Sequence, residues 1–77
     1  MAKLTRSQKK VLADLEGRNN GIAIVRGISR RTKLRPGTVG QALAVLARRR
    51  LARRLQGSNV WEITERGELI LEEILNE

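Results

Sequence analysis

The sequence predicts a mostly α domain with a small β-hairpin, an α+β arrangement of three core helices, a two-stranded hairpin and a C-terminal helix. Three observations carry that expectation. Apolar residues recur at helical spacing in several separate stretches. Pro36 stands where a helix would start, after a short polar turn. Two short runs of strand character flank Gln56-Gly57-Ser58-Asn59, whose composition suits a tight hairpin turn. With 77 residues the chain makes one domain, 1–77, that buries roughly 60% of its unfolded surface.

The elements follow in order. Thr5-Arg6-Ser7-Gln8 has capping-box spacing, a hydroxyl at the N-cap and an amide three residues on. Val11, Leu12 and Leu15 continue at helical spacing, so a first helix is expected from Arg6 to about Glu16, ending at Gly17. Arg18-Asn19-Asn20-Gly21 reads as a loop. Ile22-Ala23-Ile24-Val25 fits either a short buried strand or the first turn of a second helix capped by Asn20. The segment up to Lys33 reads as a short helix, with Ile28 its clearest buried position. Lys33-Leu34-Arg35 is a tight turn.

A third helix is expected over about 36–50. Steps of 100° place Val39, Leu43, Leu46 and Ala47 on one stripe, and Gly37, Thr38, Gln41, Val45, Arg48 and Arg49 opposite it. Leu51–Leu55 and Val60–Ile63 are the two hairpin strands, and Trp61 and Ile63 share a face. Thr64 caps a last helix, Glu65 to about Leu75, whose acidic first turn suits the helix dipole.

Composition narrows the function. The chain has no His and no Cys, which excludes disulfides, zinc fingers and histidine-based catalysis; no cofactor is expected. The longest apolar run, Ala42–Ala47, is six residues, and Met1-Ala2-Lys3 opens no signal peptide. A cytoplasmic, nucleoid-associated protein without a membrane partner is therefore expected. The net charge is +8, unevenly divided. Up to Trp61 there are fifteen basic residues against Asp14 and Glu16, a net charge of +13; from Glu62 to Glu77 the net charge is −5. Twelve of the sixteen cations are Arg, whose fork fits phosphates and guanine edges. A body so basic points to a polyanion, most simply nucleic acid.

Two helices joined by a short turn and followed by a hairpin describe a winged helix-turn-helix. Leu34-Arg35-Pro36-Gly37-Thr38-Val39-Gly40-Gln41-Ala42-Leu43 resembles the turn and recognition helix of many regulators of that superfamily. Leu46 to Leu51 resembles the end of that helix running into the first wing strand. Trp61-Glu62-Ile63-Thr64-Glu65-Arg66-Gly67 is similar to the second wing strand and following helix of MarR-type and PadR-type repressors. The family often has Gly where Arg50 stands, so Arg50 implies a different helix end or one more phosphate contact. It also often carries additional dimerisation or effector-binding helices, for which this chain has no room; no small-molecule effector is expected.

The resemblance implies a small transcriptional regulator of double-stranded DNA that reads the major groove with the third helix. Thr38 and Gln41 are the expected base-reading residues, with Arg35 just before them. Gln41 suits adenine, and Arg35 suits guanine or phosphate. Val45 is an apolar residue on the exposed side. Arg48, Arg49, Arg50, Arg53 and Arg54 would grip phosphates, as would Arg30, Arg31 and Lys33. Ser58 and Asn59 would touch backbone or minor groove from the wing (about 51–63), and Lys3, Arg6, Lys9 and Lys10 would extend the phosphate surface. Leu69, Ile70, Leu71, Ile74 and Leu75 form a stripe too wide for one small core, which suggests a homodimer interface.

Four other readings compete. A chromatin-like coating protein would keep the fold and the DNA without sequence specificity. Structured RNA is a further polyanion, but single-strand modules stack bases on several aromatics and Trp61 is the sole one. An interaction module that has lost nucleic-acid binding is opposed by the arginines. Glu65, Glu68 and Glu72 could in principle hold a nuclease metal, but their spacing is equally that of a wet helix face, so no enzyme is expected.

Overall fold

The computed structural model describes residues 3–17, 22–56 and 58–76. Its elements run α1 (Arg6–Glu16), β1 (Ile22–Ile24), α2 (Val25–Thr32), α3 (Pro36–Arg48), β2 (Ala52–Arg54), β3 (Val60–Ile63) and α4 (Glu65–Leu75). The expected Arg18–Gly21 loop, the Asn20 cap and Gly57 of the hairpin turn lie outside the described residues.

Helix α1 starts on the capping box that its sequence spells. The Gln8 N–H donates to Thr5 Oγ1 at 3.2 Å, and the Thr5 N–H donates to Gln8 Oε1 at 3.0 Å. Val11, Leu12 and Leu15 are buried on its inner face. Gly17 follows with φ −78°, so the helix stops there without the left-handed cap that a glycine permits.

The ambiguous segment resolves into both readings in succession: Ile22–Ile24 is a strand, and Val25 opens α2. Strand β1 pairs antiparallel with β3, Ala23 opposite Trp61, and β2 pairs with β3 on its other side, Ala52 opposite Ile63. The sheet therefore has three strands in the order β1-β3-β2: the two of the expected hairpin, and the short strand that Ile22–Val25 left open. The first hairpin strand is also shorter than predicted, Ala52–Arg54.

A tight turn joins α2 to α3. Lys33 takes a left-handed conformation (φ 62°). The Thr32 hydroxyl donates to the Ile28 carbonyl at 2.7 Å, and the Ser29 hydroxyl donates to the Leu34 carbonyl. Pro36 begins α3 as expected. The buried stripe of α3 is Val39, Ala42, Leu43 and Leu46; Ala47, expected there, is only half-buried. The helix was expected to reach residue 50 but ends at Arg48, and the next residues close it. The Leu51 N–H donates to Leu46 O at 2.8 Å and the Arg50 N–H to Ala47 O at 3.0 Å. That is a Schellman pair, with buried Leu46 and Leu51 as its apolar partners. The residue it holds left-handed is Arg50 (φ 62°), where glycine would be relaxed.

Helix α4 is anchored on the same turn. The Thr64 N–H donates to Leu51 O at 3.0 Å, and the Thr64 hydroxyl donates to Arg50 O at 2.7 Å. Thr64 Oγ1 in turn accepts from the Gly67 N–H at 3.0 Å, capping the helix. A Cβ on Gly67 would lie 2.1 Å from Leu51 O and 2.8 Å from Ile63 Cγ1, so only glycine fits.

One core gathers these faces: Leu4, the inner residues of α1, Ala23, Ile28, the buried stripe of α3, Leu51, Ala52, Ile63 and Leu71. Trp61 packs partly buried against it. The apolar stripe of α4 divides, which corrects the expectation that it is too wide for this core. Leu71 is buried, Ile70 and Ile74 pack against the core, and only Leu69 and Leu75 are exposed, at 56% and 71%.

Replacing Gly67 by Ala should destabilise the domain by about 3 kcal/mol, since the added methyl meets backbone rather than a side chain that can move aside. Urea unfolding checks this; a loss under about 1 kcal/mol would show that α4 shifts freely against Leu51.

Candidate nucleic-acid interface

The buried stripe of α3 fixes which face is offered to solvent. Gly37, Gln41, Ala44 and Arg48 are fully exposed and lie within a narrow arc at 100° per residue. Thr38, Val45 and Arg49 form its half-buried shoulder. Val45 is thus partly covered by the fold, which accounts for an apolar residue there. Ala44 was not among the expected contacts, although its angle, about 20° from Gly37 on the side away from Gln41, places it on this face. The Gly37 and Gly40 positions open onto free space, so no packing demand explains either glycine.

Cations bracket this face. Arg35 is the exposed N-cap of α3, with left-handed Lys33 two residues earlier. Arg48, Arg49 and Arg50 close the other end, and Arg54 is exposed on β2. Arg30 is exposed in the last turn of α2. Lys3, Arg6 and Lys10 are exposed along α1 and its approach, and Lys9 is half-buried.

Two of the expected phosphate-binding arginines also make ion pairs within the fold. Arg31 forks onto Asp14, Nε to Oδ1 at 2.8 Å and Nη2 to Oδ2 at 2.8 Å. The Asp14 side chain is only 10% exposed, so this pair ties α2 to α1. The hydrogen bond to Asp14 holds the Arg31 pKa above its ordinary value. Arg53 lies opposite Glu62 in the sheet, and its Nη2 reaches Glu62 Oε1 at 2.7 Å. Glu62, which the charge count assigns to the acidic tail, therefore offsets a cation of the wing.

The wing tip uses its own hydroxyl. Ser58 Oγ donates to Leu55 O at 2.9 Å and accepts from the Val60 N–H at 3.3 Å. Ser58 thus shapes the turn through its hydroxyl, and Asn59 beside it is exposed. Among the described residues no helix is long and apolar enough to cross a membrane.

No family model matches the sequence, and no curated protein matches it. Solved structures do match its fold. A MarR family transcriptional regulator from Streptomyces coelicolor superposes with TM-score 0.89 at 22% identity, over 95% of this chain and 52% of its own. NadR, solved in complex with 4-hydroxyphenylacetate, gives 0.83 at 22% identity over 94% and 53%. ZitR from Lactococcus lactis, solved in complex with DNA, gives 0.80 at 25% identity over 97% and 53%. The chain spans about half the length of these proteins. The expectation that no small molecule acts on the domain finds no support among them, since NadR holds one. In element order and in three dimensions, the chain has the same fold as the matched half of a MarR family transcriptional regulator.

Proposed function

We propose that the domain binds double-stranded DNA and serves a small transcriptional regulator, with the exposed face of α3 in the major groove. The observation that carries this reading is the division of α3 into a fully buried stripe and an exposed face centred on Gln41, with cations at both ends. Thirteen residues make a rod of about 20 Å, and the groove is about 12 Å wide, enough to admit a helix. Gly37 has no side chain to hold the groove floor away. Gln41 can pair its amide with adenine N6 and N7, and the Ala44 methyl suits a thymine methyl. Arg35, Arg48 and Arg54 supply phosphate contacts, which set affinity and register. The likeness of fold to ZitR, which was solved with DNA, supports the same reading.

A coating protein is the second reading, and one observation favours it. The exposed arc of α3 holds two residues without a polar side chain, Gly37 and Ala44, which leaves Gln41 and the half-buried Thr38 as its uncharged readers. We also propose that the working form is a homodimer through α4, with exposed Leu69 and Leu75 at the contact. A dimer sets two recognition helices one DNA turn apart, about 34 Å.

Duplex affinity should fall with salt at a log–log slope of roughly −5 to −9, as six to ten neutralised phosphates require. A flat response in a salt-titrated binding assay would remove the DNA reading. Arg54→Ala should weaken binding by similar factors on all duplexes. Gln41→Ala should change the preference recovered by selection from random duplexes; uniform losses would instead favour the coating protein. Sedimentation at tens of micromolar, roughly where weak specific dimers associate, should show a dimer that Leu69→Lys dissociates.

A further inference from the structure

Three consecutive arginines at the end of α3 meet a fourth from a different element. Arg48, Arg49 and Arg50 line a cleft of about 290 Å³ together with Arg66, from the first turn of α4, over a floor of Leu51 and Ile70. Among the described residues that line it, none is acidic. That is unexpected for α4, because Arg66 is the only cation between Glu62 and Glu77, among six glutamates. The one positive side chain of an acidic helix is thus turned towards the densest cationic run in the chain.

A second observation concerns the backbone. Arg50 holds φ 62° at the left-handed position of the Schellman turn, where glycine is relaxed. The turn is fixed by the hydrogen bonds of Leu51 to Leu46 and of Thr64 to the Arg50 carbonyl. An arginine kept at a site that favours glycine retains its guanidinium at the expense of backbone ease, a pattern that marks functional positions.

We propose that this cleft is an oxyanion site for a phosphate ester, with Arg66 as its fourth arm. Guanidinium forks match the paired oxygens of a phosphate, and their convergence supplies the counter-charge that a single surface arginine lacks. The apolar floor accepts the esterified body of the ligand while the oxygens face the arginines. The phosphate comes either from a duplex backbone or from a free phosphorylated molecule; the chemistry of capture is shared. The cleft lies about 16 Å along α3 from Gly37, away from the base-reading turn. The proposal does not depend on the DNA reading.

The test compares thermal unfolding of the full chain in sodium phosphate and in sodium chloride of equal ionic strength. Wild type should gain a saturable rise in Tm with phosphate. Arg66→Gln and Arg48→Gln should each weaken that response about tenfold, as loss of one charge-assisted contact does. Arg26→Gln, an exposed cation on α2, should leave it unchanged. Arg50→Gly should be more stable than wild type in chloride yet respond less to phosphate. An equal phosphate response in wild type, Arg66→Gln and Arg48→Gln would overturn the site. Salt titration of duplex binding then identifies the source. A slope about one unit shallower for Arg66→Gln assigns the site to the DNA backbone. An unchanged slope with a lost phosphate response assigns it to a free phosphate ester. Should wild type bind no duplex at all, the DNA reading falls and the phosphate titration still decides the cleft.

Discussion

The backbone of Leu51 is the point on which the rest of the domain is hung. Its N–H closes α3 through the Leu46 carbonyl, and its own carbonyl receives the Thr64 N–H that starts α4. The same carbonyl faces Gly67 so closely that no side chain fits between them. Its side chain is 1% exposed and completes the core beneath both helices. One residue thus sets where the recognition helix stops, where the wing departs and how α4 crosses them. The exposed arc of α3 keeps its angle because both ends are fixed, one by Pro36 and the Ser29–Leu34 hydrogen bond, the other by this turn.

Much of that was legible in the sequence, and what was legible is local. The Thr5 capping box, Pro36 at a helix start and the Thr64 cap each depend on neighbours within three or four residues, and each stands where the sequence places it. Helical periodicity found three of the four buried positions on α3 and the exposed Gln41. What escaped was set by distance along the chain. Ile22–Ile24 is a strand only because β3, about forty residues later, offers it an edge. The pairing of Arg31 with Asp14, seventeen residues earlier, cannot be seen in one dimension. Gly67 belonged to a resemblance without a reason, and the reason is a carbonyl from another element.

The charge pattern changes meaning in the same way. Counted along the chain, it separates a basic body from an acidic tail. In space the division is less strict: Asp14 and Glu62 each offset one arginine of the basic surface, and Arg66 of the acidic helix lines a cleft with three others. Exposed cations stand at both ends of α3 and on β2, and others lie on α1 and α2. Neither ion pair is a large source of stability at its exposure. The Asp14–Arg31 fork serves better as a register between α1 and α2, since its planar geometry admits one orientation.

The central place of β3 has a consequence for the order in which the molecule assembles. Helices α1 and α2, and α2 and α3, pack as neighbours in sequence, and α1 also packs on α3 across the intervening helix. Strand β1 must wait for a partner about forty residues away, and closing a loop of that length costs about 3 kcal/mol in chain entropy. Local helical structure is accordingly cheap to form early, and the sheet is the late event. A nascent chain halted before residue 60 would hold the reading helix without the strand that ties the hairpin to the start of α2. Translation therefore delivers the exposed face of α3 before it delivers the strand that clamps the hairpin in place.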